Sequence, residues 1–262
     1  MSADYFALPG VNWSSLKHMR ESPLLYRYRM DFPEEDKPAY ALGRAVHTMV
    51  FEPRSFESEY AIWCDGHRKG KAWQEFAEFH ADKTILKEDE YDACLAMADA
   101  VRTHPLVSPY LVGGLFETVI RWTDPETKLL CKAKPDWRLD ERRILLDLKT
   151  CRSIDGRRFG SEAARFGYMS QFAHYGNGIY HALGWRPERT LAVAVEKDPP
   201  HDVGIFEFTF SDLQIGADEV ADLLRRVKDC QDSGEWPGRY TTEQAVQLPA
   251  YIHGETEFEY AE

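Results

Sequence analysis

The stretch Leu130 to Thr150, LCKAKPDWRLDERRILLDLKT, constrains the fold more than any other part of the chain. Its patterning predicts two short strands around a tight polar turn at Asp140 to Arg143, with Glu141 and Arg142 central. The first strand runs through Cys131 and Ala133 and ends near Pro135-Asp136, and the second spans Ile144 to Thr150. Strand side chains alternate faces, so Asp147 and Lys149 share one face while Leu146 and Leu148 take the other. Antiparallel pairing across that turn sets 140 against 143, 138 against 145 and 136 against 147. Asp136 and Asp147 then become cross-strand neighbours. Like charges directly opposite destabilise a sheet unless something positive lies between them. A divalent metal ion and Lys149 are the natural candidates.

The chain has 262 residues, of which 44% are hydrophobic, enough for one large domain with a sizeable core. No run approaches the ~20 apolar residues of a membrane helix. The N-terminus, MSADYFALPG, lacks the basic region and apolar core of a signal peptide. The five cysteines, at 64, 94, 131, 151 and 230, form no C-x-x-C pair, which predicts reduced thiols in a cytoplasmic protein. Their scatter also excludes a zinc ribbon and an iron–sulfur cluster. Net charge is 32 minus 44, or −12, which opposes non-specific binding of nucleic acid unless a local basic groove sits on the acidic body.

The N-terminal part reads as helical. Ser14 is the expected N-cap of Ser15 to Arg20, and Ser22-Pro23 starts a second helix. A charged loop, Pro33 to Pro38, precedes a helix from Tyr40 to Phe51. Cys64 to Trp73 is a Gly-rich basic loop, and Lys71 to His80 and Glu88 to Thr103 are helices. Leu115 to Trp122 alternates as one strand, with Asp124 to Thr127 as the turn that follows. A helix from about Ser161 to Leu183 puts Gln171 and Tyr175 one turn apart. Thr190 to Val195 and Gly204 to Phe210 form a hairpin, and Ser211 is the expected N-cap of a helix to Cys230. The tail from Trp236 is mixed and ends acidic.

Pro135-Asp136, ten intervening residues and then Asp147-Leu148-Lys149 resemble the PD-(D/E)XK nuclease signature. The run Asp124 to Trp137 and the later Gln171-x-x-x-Tyr175 are similar to its RecE-like (exonuclease VIII) branch. The resemblance runs from about Ser14 to Pro249. It implies an α/β fold: a single domain with a restriction-endonuclease-like core, a central mixed β-sheet flanked by helices. Within it, 12–110 forms an N-terminal helical segment, 111–230 the catalytic core and 231–262 a tail.

The resemblance also implies chemistry. Asp136, Asp147 and Glu117 supply carboxylates for magnesium, which manganese can replace, and the Leu148 carbonyl adds an oxygen. Gly43-x-x-x-His47 matches a family helix whose histidine joins the metal site. Lys149 polarises the attacking water, and Gln171 and Tyr175 orient Lys149 or the DNA. Arg44, Arg68, Lys69 and Lys71 are candidate DNA contacts. The implied activity is exonucleolytic digestion of double-stranded DNA ends, 5′ to 3′ and processive, leaving 3′ single strands for recombination. A homo-oligomeric ring (a tetramer by resemblance) and a RecT-like single-strand annealing protein are the implied partners. The alternatives are a Cas4-like nuclease of other polarity or substrate and an inactive DNA-binding copy of the fold.

Overall fold

The computed structural model describes residues 3–33, 38–246 and 248. The middle of the predicted 33–38 loop and the acidic end of the tail lie outside them. In chain order the helices and strands are α1 (Ala3–Ala7), α2 (Trp13–Leu16), α3 (Pro23–Asp31), α4 (Pro38–Phe51), α5 (Phe56–Glu59), β1 (Tyr60–Trp63), α6 (Gly70–Phe79), β2 (Thr84–Lys87) and α7 (Glu88–Thr103). They continue as β3 (Leu115–Phe116), β4 (Ile120–Thr123), β5 (Leu130–Ala133), β6 (Trp137–Leu139), β7 (Ile144–Cys151), α8 (Gly156–Phe166), α9 (Tyr168–Leu183), β8 (Arg189–Glu196), β9 (Val203–Glu207) and α10 (Phe210–Ser233). No helix of the described residues is long and apolar enough to cross a membrane.

The main sheet has the order β3-β6-β7-β8-β9. All its pairs are antiparallel except β7 with β8, which are parallel and joined through α8 and α9. This is the central mixed sheet flanked by helices. Alternation along β7 divides the core. Leu145 and Cys151, with Ala192 and Ala194 of β8, pack towards α8, α9 and α10. Leu146 and Leu148, with Leu191, Val193 and Val195, pack towards α4 and α7. Asp147 and Lys149 therefore point to the α9 side.

The predicted hairpin keeps its register: Arg138 opposes Leu145, and Leu139 opposes Ile144. The turn is a 3₁₀ turn at Asp140–Arg142 closed by Arg143 in the left-handed region, with φ 50°. The first strand, however, is not continuous. β5 pairs with β4 in a separate two-stranded sheet, and β6 starts only after Pro135-Asp136. The predicted strand Leu115 to Trp122 breaks in the same way. β3 joins the main sheet, β4 joins β5, and Glu117 between them has φ 42°. Two ribbons diverge here, so each chain that crosses the gap must turn.

Three helix boundaries also differ from expectation. Asn12 rather than Ser14 caps α2, because its side chain accepts the Ser15 N–H. Thr209 rather than Ser211 caps α10, in a capping box with Asp212. The predicted helix from Ser161 to Leu183 is split at Gly167, which has φ 71°. A Cβ there would lie 2.4 Å from the Arg20 guanidinium. Arg20 is itself held by Glu219 of α10 and lies near Ser170 of α9.

His174 of α9 is fully buried against Trp122, and its Nε2 lies 3.1 Å from the Lys132 carbonyl. That contact requires the proton on Nε2, which leaves Nδ1 buried without a partner. Burial lowers the His174 pKa to about 4. The unfolded chain then binds the proton first on acidification, so wild-type stability falls as pH drops through this window. His174→Gln keeps a donor for Lys132 and cannot charge. Relative to it, the wild type should lose about 3 kcal/mol between about pH 7 and pH 4, measured by chemical denaturation. Parallel pH profiles for the two proteins would refute this.

Candidate active site

Where β6 peels away from β7, the β7 backbone is left with open hydrogen-bonding groups. Asp136 fills part of this gap: its Oδ2 accepts the Leu148 N–H at 2.9 Å. The same oxygen lies 3.2 Å from His47 Nδ1, one residue turn beyond Arg44 on α4. In an extended strand the N–H and C=O of one residue point to the same edge, so the Leu148 carbonyl faces this opening too. An unbroken strand would have set Asp136 opposite Asp147; the strand break instead turns Asp136 in to bond the Leu148 N–H.

Asp147 is 1% exposed, and its Oδ2 lies 2.5 Å from Lys149 Nζ. That oxygen nevertheless receives no well-directed hydrogen bond. Lys149 also donates to Gln171 Oε1 at 2.9 Å. Gln171 Nε2 donates to Tyr175 Oη at 2.8 Å and lies 3.4 Å from Asp147 Oδ1. One amide on α9 therefore links the lysine, the aspartate and the tyrosine.

The electrostatics separate the two aspartates. Burial, then the neighbouring Asp136 charge, raises Asp147 to about 6, with Lys149 and His47 only partly compensating. Burial also opposes ionisation of Asp136, but His47, Lys149 and the Leu148 N–H outweigh it and hold its pKa below the usual value. For His47, burial disfavours the charged ring, and Asp136 reverses this to raise its pKa. Burial and the two aspartates keep the Tyr175 phenol protonated.

Among the described residues, no group of three or more His, Cys, Asp or Glu side chains converges as a metal cage. Glu117 is the member of the predicted set that stands apart. Its N–H donates to the Asp136 carbonyl at 3.1 Å, but its carboxylate pairs with Lys134. The residues that do converge still suit a hard divalent cation. Two carboxylates and a carbonyl are oxygen ligands, and magnesium keeps several waters rather than requiring a protein cage. The buried Asp147 Oδ2, without a directed donor, is the atom such a cation would satisfy.

The other predicted residues lie elsewhere. Arg68 donates to the Ile85 carbonyl at 2.7 Å and to Glu90 at 3.0 Å, beside the parallel β1–β2 pair. Lys71 pairs with Glu75 at 3.5 Å, and Lys69 is exposed. Gly43 packs against β7 without crowding: a Cβ would meet Thr150 Oγ1 at 3.7 Å. Sequence reasoning missed Tyr168, whose ring lies 4.5 Å from Lys149 Nζ and whose hydroxyl donates to Glu162 at 3.3 Å. Its position three residues before Gln171, on the same helix face, was the available signal.

A protein from Eubacterium rectale, provisionally named an exonuclease, has a crystal structure that superposes with a TM-score of 0.64 at 13% identity over 97% of each chain. That likeness concerns the fold. A phage-related exonuclease from Haemophilus somnus 129PT aligns loosely, with a TM-score of 0.39 and 12% identity over 86% of this chain and 96% of its own. Among curated proteins none matches. The family described as "PDDEXK-like domain of unknown function" (DUF3799) matches residues 12–247. With nearly the whole chain matched and the aspartates and lysine of the motif gathered on β7 and at its edge, this protein belongs to that PDDEXK-like family.

Proposed function

We propose that the protein is a magnesium-dependent exodeoxyribonuclease that hydrolyses phosphodiester bonds at the ends of double-stranded DNA. The observation that carries this reading is the pair of buried Asp147 and half-buried Lys149 on one face of β7, with Asp136 held beside it by the Leu148 N–H and His47. Asp136, Asp147 and the Leu148 carbonyl would hold the cation. A divalent ion there supplies Lewis acidity to the phosphate and makes a bound water more acidic.

The chain's own groups do the rest. Lys149 stands beside Asp147, where its ammonium can hold the attacking water and offset charge that develops on the phosphorane oxygens. Gln171 restrains that ammonium from one side and the Tyr168 ring from another. His47 keeps Asp136 ionised and oriented. Glu117 is held by Lys134 through Oε2 and stands outside this set.

The RecE-like resemblance supports three finer points of this reading: 5′ to 3′ polarity, release of 3′ single strands to a RecT-like annealing protein, and a homo-oligomeric ring. A ring also answers the −12 charge, since closed symmetry repeats a local basic patch around one axis. The test is digestion of duplex labelled at either the 5′ or the 3′ end, with magnesium or a chelator, and light scattering for mass. Magnesium-dependent release of 5′ label as mononucleotide from an oligomer is expected. Internal cuts, or equal digestion in chelator, would overturn the reading.

A further inference from the structure

The segment after β7 carries four exposed arginines, Arg152, Arg157, Arg158 and Arg165. Two carboxylates lie among them, and both are engaged elsewhere. Asp155 Oδ1 accepts the Arg158 backbone N–H at 3.1 Å and caps α8. Glu162 accepts the Tyr168 hydroxyl. No guanidinium of the four forms an ion pair among the described residues. This differs from the Arg68 cluster, where Arg68 and Lys71 already have carboxylate partners. Asp155 and Glu162 keep their charge, so the segment carries four positive and two negative side chains, a net +2 that makes a local positive field in a chain of net charge −12.

Their placement matters as much as their charge. Phe159 and Ala163 are buried, which fixes the rotation of α8 about its axis. Arg158, Glu162 and Arg165 then fall on one stripe, at i, i+4 and i+7. Glu162 touches Tyr168, and the Tyr168 ring lies against Lys149. The stripe thus reaches the site lysine through two side-chain contacts. Arg152 follows Lys149 three residues along the chain, just past the end of β7. With 11 residues, α8 is about 16 Å long, a distance over which a duplex presents roughly nine phosphate charges. Guanidinium is the side chain best matched to phosphate, because its planar fork binds two oxygens at once.

We propose that Arg152, Arg157, Arg158 and Arg165 form the track that holds the sugar-phosphate backbone of the duplex next to the site. The proposal rests on the nuclease reading of Asp136, Asp147 and Lys149, but binding can be measured apart from cleavage. The experiment uses the Lys149→Ala protein and a short fluorescent duplex, with anisotropy recorded over a range of salt concentrations. Replacing all four arginines by glutamine should weaken binding at low salt at least about 30-fold and reduce the salt slope by about 3.6, or ~0.9 for each contact. If the fourfold variant melts early, Arg157→Gln with Arg158→Gln should show about half that change in slope. With Lys149 intact, the fourfold variant should need far more duplex for half-maximal cutting, while the rate at saturation falls much less. An unchanged slope, no duplex binding by the parent, or a slope that falls only in Arg68→Gln/Lys69→Gln/Lys71→Gln would each overturn the track. Arginine-dependent binding by a protein that cuts nothing would leave the track standing and reject the nuclease reading.

Discussion

Asp147→Asn should lose at least about 10³-fold of cleavage, because a metal ligand is worth several kcal/mol of transition-state stabilisation. In chelator it should also melt higher than the wild type. The second half follows from the raised pKa of Asp147, caused first by burial and then by Asp136. A carboxylate whose folded pKa lies above its unfolded one binds extra protons in the folded state between about 4 and 6. Stability is then lost as pH rises through that window, and at neutral pH the ionised Asp147 costs about 3 kcal/mol. The amide removes this cost. A divalent cation held by Asp147 would relieve it in the wild type, so adding magnesium or manganese should raise the wild-type melting temperature and leave Asp147→Asn unmoved. Lys149→Ala should behave differently. It loses the ammonium beside Asp147, so cleavage disappears while the metal-dependent rise in melting temperature is kept or enlarged. Calorimetric scans with and without cation distinguish these cases, and full turnover by Asp147→Asn would sink the assignment.

Gly216→Ala should destabilise the fold by about 3 kcal/mol, although alanine is the better helix former. α10 crosses α9 at this glycine. A Cβ there would lie 2.4 Å from the Met169 carbonyl oxygen and 2.5 Å from its carbon. Those are backbone atoms at the start of α9, which cannot rotate away as a side chain can. The helices must separate, and Ser170 and Gln171 follow the displaced backbone, so the amide that orients Lys149 shifts as well. Gly160 of α8 supplies the contrast, since a Cβ there meets nothing within 4 Å. Gly160→Ala should therefore stabilise by roughly the helix propensity difference, about 1 kcal/mol. Opposite shifts in melting temperature are expected, roughly 2–4 °C upward for Gly160→Ala and about twice that or more downward for Gly216→Ala. Similar shifts for both would mean that the α9–α10 contact is looser than the structure has it.

Local physics made part of this protein legible in advance. The β6–β7 register follows from the position of one polar turn, because antiparallel pairing then counts residues outward from it. Strand alternation alone put Asp147 and Lys149 on one face, and helix periodicity alone put Gln171 above Tyr175. Each of these depends on residues close together in the chain.

Tertiary structure decided the rest. The strands through Glu117 and Asp136 break because two ribbons diverge there, and the partners that hold Glu117 at the break, Lys134 and the Asp136 carbonyl, both come from the link between β5 and β6. The helix predicted from Ser161 splits at Gly167, whose left-handed backbone caps α8, and the Arg20 guanidinium beside it leaves room for no side chain there. An isolated glycine costs a helix only about 1 kcal/mol, too little for sequence to say whether the helix bends, breaks or continues. The loop arginine Arg68 looked free for phosphate until Glu90, 22 residues later, proved to hold it. The arginines of α8 lie among carboxylates in sequence, yet Asp155 is taken by a helix cap and Glu162 by Tyr168. Alternation and pairing are set by near neighbours, whereas which charges remain uncompensated depends on side chains that only packing brings together.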